Sequence, residues 1–178
     1  MKKAFVVLSL ILFHLSCAEE QDLGQFDDLS IEPIVASSIF YFESDENTIN
    51  AIGIANFYEQ LFTFEAFSDP NVADKILDGV ITYQIENTTS KSLGLEIEFL
   101  DANGNTLDTE SFTIEADPSP LLERQIAYGE GGRNLDILRN STNIRVSGEN
   151  FGNAISLSAQ NEPKVILRSS AAFRLKLR

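Results

Sequence analysis

Between Ile81 and Phe99 apolar and polar residues alternate one for one. Ile81, Tyr83 and Ile85 are separated by Thr82 and Gln84, and Leu93, Leu95, Ile97 and Phe99 by Gly94, Glu96 and Glu98. A period of two puts one set on each face of an extended chain, so each run reads as a strand with one greasy face and one wet face. A helix would scatter the same residues around its axis. Asn87-Thr88-Thr89-Ser90 lies between the runs as a polar turn. A one-faced strand needs a second layer to cover it, which points to two packed sheets.

After Phe99 the chain turns again, at Asp101-Ala102-Asn103-Gly104-Asn105. Asn-Gly is a strong hairpin signal, and two loop geometries are open here. A two-residue type I′ turn at Asn103-Gly104 sets Leu95 opposite Phe112, Leu93 opposite Ile114 and Phe99 opposite Asp108. A three-residue loop with Gly104 in the left-handed region aligns Phe99 with Leu107. It then faces Ile97 and Leu95 with Thr109 and Ser111.

Further strand signals flank this region. Pro33 to Glu43 ends in the β-prone run Ser38-Ile39-Phe40-Tyr41-Phe42, and Leu61 to Phe67 is aromatic. Leu121 to Tyr128, Asn143 to Glu149 and Lys164 to Leu167 read as strands. At the C-terminus Phe173, Leu175 and Leu177 alternate with Arg174, Lys176 and Arg178. The stretch 47–60 fits a helix through Ile49, Ile52 and Phe57, or a strand through Ile52 and Ile54. Arg133 to Arg139 fits a short helix or a crossing loop. Many short strands punctuated by Gly, Pro and Asn predict an all-β chain folded as an antiparallel, immunoglobulin-like β-sandwich over 31–178.

The stretch from Tyr83 to Leu93, together with Glu98-Phe99-Leu100-Asp101-Ala102-Asn103-Gly104, resembles the core of immunoglobulin-like modules of the FxLYD and LEA-like type. Those modules join an Asn-Ser/Thr-rich turn to a strand ending in F-x-D-x-x-G. The resemblance implies a sandwich and carries no catalytic residues. Asp117-Pro118-Ser119-Pro120 departs from it, standing where those modules often place a Pro-Gly turn.

The N-terminus predicts an address. Lys2 and Lys3 precede an apolar run from Ala4 to Phe13 that is short for a bilayer span. The run ends in His14-Leu15-Ser16-Cys17, which resembles a bacterial lipobox. Residues 1–16 are then a lipoprotein signal peptide, cut between Ser16 and Cys17, with Cys17 lipidated. Acyl chains on one cysteine bury about 0.8 kcal/mol per methylene, enough in combination for stable anchoring. Residues 17–30 read as the lipidated cysteine and an acidic linker. Glu19 and Glu20 resemble the signal that sends lipoproteins of the Bacteroidetes to the cell surface. The whole chain is similar to small flavobacterial lipoproteins, which implies an outer-membrane location on the periplasmic or cell-surface face.

Processing would also strip the chain of chemistry. His14 and Cys17 are the only residues of their kinds. Cleavage removes the histidine and lipidation uses the thiol, so His- and Cys-based nucleophilic catalysis and zinc sites are not expected. With one cysteine there is no internal disulfide. A net charge of −14 disfavours nucleic acid. Asp101, Asn103, Asn105 and Asp108 offer oxygen ligands, but a hairpin explains them without calcium. Glu96 and Glu98 share a strand face about 7 Å apart, the weak basis for a carboxylate-only hydrolase. Gly129-Glu130-Gly131-Gly132-Arg133 lacks the lysine of a phosphate loop.

Two features point to contacts. Phe40, Phe42, Phe62, Phe64 and Phe67 read first as core and second as an aromatic patch. Lys164, Arg168, Arg174, Lys176 and Arg178 would guard an edge strand against pairing. The expectation is a noncatalytic binding or structural lipoprotein without a cofactor or metal. Its expected partners are the membrane, through Cys17, and a protein or glycan. A glycan-binding accessory role is the alternative.

Overall fold

Eight strands carry the fold in a computed structural model that describes residues 30–64, 67, 69–117 and 119–177. They are β1 (Ile34–Asp45), β2 (Asn56–Thr63), β3 (Ile76–Asn87), β4 (Leu93–Leu100), β5 (Thr106–Ile114), β6 (Leu122–Gly129), β7 (Asn143–Asn150) and β8 (Lys164–Leu175). Three short helices lie between them: α1 (Glu46–Ile52), α2 (Pro70–Ala73) and α3 (Leu135–Asn140). All lie within one unit, Ile31–Leu177. Cys17, Ser16, Glu19 and Glu20 fall outside the described residues. Among the described residues no helix is long and apolar enough to cross a membrane.

One sheet runs β1-β8-β3-β6 and the other β2-β7-β4-β5, every pairing antiparallel. The chain therefore forms the expected antiparallel sandwich, and its strand order is that of an eight-stranded jelly roll. Between the sheets lie the alternating residues of β3 and β4. Ile81, Tyr83, Ile85, Leu93, Leu95, Ile97 and Phe99 are all buried. Each flank of the sandwich is bounded by two edge strands, β1 with β2 on one side and β5 with β6 on the other.

The β4–β5 hairpin uses both registers. Near the loop, Gly104 sits at φ +81°, its N–H donates to the Asp101 carbonyl, and Leu100 faces Thr106. That is the three-residue loop. The register then shifts by one between Phe99 and Leu100, so that Phe99 faces Asp108, Leu95 faces Phe112 and Leu93 faces Ile114. A bulge adjusts the favoured loop to the favoured core pairing.

The stretch 47–60 divides. Asp45 caps α1 by accepting from the Thr48 N–H, and Gly53 ends it at φ +89°. Only Ile49 of the helix's apolar residues is buried; Ile52 and Ile54 are exposed, and Phe57 is buried in β2. Arg133 to Arg139 contains α3, capped by Asn134.

Two expectations about the C-terminus need correction. Lys164–Leu167 and the start of the terminal run, Phe173 to Leu175, are one strand, joined through Ser169, Ser170, Ala171 and Ala172; Lys176 and Leu177 lie past its end, and Arg178 falls outside the described residues. That strand is interior, between β1 and β3, so its basic residues guard no edge. Lys164 instead pairs with Glu43, Arg168 with Glu86, and Arg174 with Asp78 and Glu32 across neighbouring segments.

Candidate binding cleft

The β5–β6 flank is sealed by charge. Continuing the alternation back from Phe112 and Ile114 turns Glu110 and Asp108 inward, and Glu110 is buried. Two arginines meet them. Arg133 places Nη1 2.5 Å from Asp108 Oδ2 and pairs through Nη2 with Glu110. Arg124 reaches Glu110 at 3.1 Å and lies 4.3 Å over the Phe112 ring. The Tyr128 hydroxyl donates to Asp108 at 3.2 Å. Burial opposes the charge on Arg133, but Asp108 and Glu110 outweigh it and hold the guanidinium above its ordinary range. Burial, with the nearby carboxylates, pushes the Tyr83 and Tyr128 phenols up, so both stay neutral. Inward charges on edge strands also deter pairing with another chain.

The β1–β2 flank is closed over only half its length. Towards α1, Phe40 stacks on Phe62 with centroids 5.3 Å apart, and Phe42 lies 3.9 Å from the Tyr58 ring. Beyond Phe40, β1 carries a bulge: Ser38 faces Ser170 while Phe40 faces Ser169, leaving Ile39 as the extra residue. An extra residue switches which set of side chains points inward. Val35, Ser37 and Ile39 then line a cleft of about 290 Å³. Its floor is aromatic. Phe64 meets Phe67 and Phe99 edge-on, and Phe67 meets Phe173 edge-on at 4.9 Å. Phe173 lies over Gly79, where any Cβ would overlap the ring. Ile144 and Ala171 complete the interior, and Thr63 and Val72 lie at the rim. No described residue lining the cleft is charged. Of the five clustered phenylalanines, Phe40, Phe42, Phe64 and Phe67 are buried. The core reading therefore holds for these four, and Phe62, Phe64 and Phe67 also line the cleft.

A second polar cluster lies at the α1 end. Lys91 is fully buried, with Nζ 2.6 Å from both Ser156 Oγ and the Ser156 carbonyl. Glu46 accepts from the Ser90 N–H, the Ser90 hydroxyl and the Ser158 N–H. Burial pulls Lys91 below its ordinary range, and Glu46 opposes that. Burial raises Glu46, but the Ser158 and Ser90 donors and Lys91 outweigh it and leave the carboxyl low. The serine that meets Lys91 lies 65 residues away. With the Ser156 carbonyl also bound and Lys91 enclosed, the cluster works as a latch that pins the irregular 151–162 segment to the β3–β4 turn.

The remaining sequence candidates separate. Glu96 is exposed, whereas Glu98 is tied to Arg145 at 2.6 Å and to Thr106. Asp101 accepts from the Asn103 and Asn105 N–H groups and the Asn105 amide, which is hairpin chemistry. Among the described residues no three His, Cys, Asp or Glu side chains gather as metal ligands. The Gly129–Gly132 loop turns on a Gly132 N–H to Gly129 carbonyl bond and delivers Arg133 to the sealed flank.

No family model matches the chain, and no curated protein matches it. Solved structures share the sandwich only loosely. A VP2 subviral particle of infectious bursal disease virus is 10% identical at TM-score 0.40, covering 82% of this chain and 33% of that one. A Bacillus endospore appendage protein is 11% identical at TM-score 0.36, covering 83% and 92%. A Parabacteroides distasonis protein is 9% identical at TM-score 0.42, covering 80% and 38%. The chain spans about a third of the length of the viral capsid proteins it matches.

Proposed function

We propose that this protein is a lipid-anchored, noncatalytic binding module of the outer membrane whose binding element is the β1–β2 cleft. The observation that carries the reading is the contrast between the flanks. One is sealed by Arg124 and Arg133 against Asp108 and Glu110; the other opens on an aromatic pocket whose described lining carries no charge. Pockets that take ligands are concave and mostly apolar, with a few polar groups at fixed positions. Cys17 supplies the membrane attachment, and an acidic linker spaces the domain from the lipid.

Site-specific photocrosslinking in intact cells tests this. A photoreactive residue at Thr63, on the cleft rim, should give discrete adducts in the membrane fraction. The same residue at Thr109, exposed on the sealed flank, should give none. Equal labelling at both sites, or none at either, overturns the cleft as binding element. Cys17→Ser should release the protein from membranes or leave its precursor uncut, and normal anchoring would overturn the lipidation.

A glycan is the second reading, favoured by Phe151. Its half-exposed ring packs over Gly94 on the outer face of the β2-β7-β4-β5 sheet, beside a polar trough containing Glu96, Ser147 and Glu149. Binding on a glycan array that is lost in Phe151→Ala would move the site there.

A further inference from the structure

We infer that the β1–β2 cleft takes a single unbranched alkyl or acyl chain carrying an uncharged head. This rests on the cleft being the binding element and adds the class of ligand.

Size comes first. A methylene fills roughly the ~30 Å³ that a water molecule occupies in the liquid. A cleft of about 290 Å³ therefore holds on the order of ten carbons. The walls match such a chain: Ile39, Phe62, Phe64, Phe67, Ile144 and Phe173 present only hydrocarbon. Ser37, Ser38 and Thr63 belong to the lining, and all three residues are exposed. A hydroxyl both donates and accepts, which suits an alcohol, ester or amide head. Charge decides between the remaining occupants. A chain at −14 repels a carboxylate or phosphate head, and it repels a second copy of itself. A neutral small ligand avoids both penalties.

The test uses residues 18–178, which keep every described strand and core residue, titrated with straight 1-alkanols by calorimetry. Affinity should rise about fourfold per methylene, as burial of each predicts, and level off near ten carbons. Decanoate should bind more weakly than decanol at low salt. Val35→Trp and Thr63→Trp replace exposed rim residues, so the fold should survive. Each should weaken decanol at least tenfold with an unchanged unfolding midpoint. No binding at any length, no plateau, or indifference to both tryptophans overturns the inference.

The crosslinking above separates the two readings. A lipid-sized adduct at Thr63 supports both. A protein adduct there, or a dimer in sedimentation that Val35→Trp dissolves, keeps the cleft as a binding surface and overturns the alkyl ligand. No adduct together with no alkanol binding overturns both.

Discussion

Replacing Arg133 with Met tests whether the sealed flank is held by charge. The guanidinium covers two inward carboxylates, Asp108 at 2.5 Å and Glu110 beside it, whose side chains are 16% and 5% exposed. Methionine fills the space but, among the described residues, leaves the Asp108 carboxylate with only the Tyr128 hydroxyl. Glu110 keeps Arg124, which is 41% exposed and correspondingly screened. Breaking a buried ion pair from one side costs about 3–5 kcal/mol. The surviving Arg124 contact and the partial exposure of Arg133 place the expected loss near 3 kcal/mol. In a domain of this size that lowers the melting temperature by roughly 6–12 °C. Urea unfolding followed by far-UV circular dichroism on residues 18–178 reads the loss directly. Adding Asp108→Asn and Glu110→Gln should recover at least half, because the uncompensated charge is then gone. A loss under about 1 kcal/mol, or a triple variant no better than the single one, would refute the argument.

Three other perturbations follow from named contacts. Glu46 has a lowered pKa when folded, so its stabilisation is present above its ordinary 4.5 and is lost as pH falls through the lowered value. Glu46→Gln should thus be less stable at pH 7 and converge with the natural protein in acid; parallel urea midpoints from pH 7 to pH 3 would count against the latch. Gly104 at φ +81° has open space around it, so Gly104→Ala should cost only backbone strain, about 1–2 kcal/mol, and Gly104→Asn less. Equal melting temperatures for the three would contradict the loop assignment. Gly79→Ala must displace the Phe173 ring, at a cost of about 1–3 kcal/mol, and should also alter decanol binding. A destabilised protein with unchanged decanol affinity would place Phe173 outside the working part of the cleft.

Much of the architecture was legible because burial in a sandwich is one-sided. Ile81 to Ile85 and Leu93 to Phe99 bury the alternate residues that the period of two selects. The inward carboxylates were legible in principle as well, since the same parity that buries Phe112 and Ile114 also turns Glu110 and Asp108 inward. Their arginines were not, because Arg133 arrives from a glycine loop and its direction is a tertiary fact. Lys91 sits in a polar turn and reads as a solvated residue, while its partner Ser156 belongs to an irregular segment without periodicity. β8 read as two pieces because Ser169 to Ala172 breaks the apolar pattern, although small residues suit an interior strand packed between neighbours. The cleft was hidden for a subtler reason. It depends on one extra residue at Ile39, and nothing in Ser37-Ser38-Ile39 announces a bulge.

Both flanks of this sandwich face the same physical problem, since edge strands expose unpaired backbone groups that can recruit another chain. On β5 and β6 the answer is charge turned inward. On β1 the run Ile34-Val35-Ala36-Ser37-Ser38 contains no charge, and Ile34 and Val35 are exposed. Such an edge invites pairing unless something else opposes it. Two features do. The bulge at Ile39 bends the strand and breaks the even ladder that a second strand would need. The net charge of −14 adds long-range repulsion between copies. Repulsion falls with ionic strength, whereas the bulge does not respond to salt. The edge should therefore remain monomeric at physiological salt if geometry protects it, and begin to self-associate there if charge alone does. Sedimentation of residues 18–178 across a salt series distinguishes the two. Salt-induced dimerisation would mean that charge alone keeps this edge from pairing with a second copy.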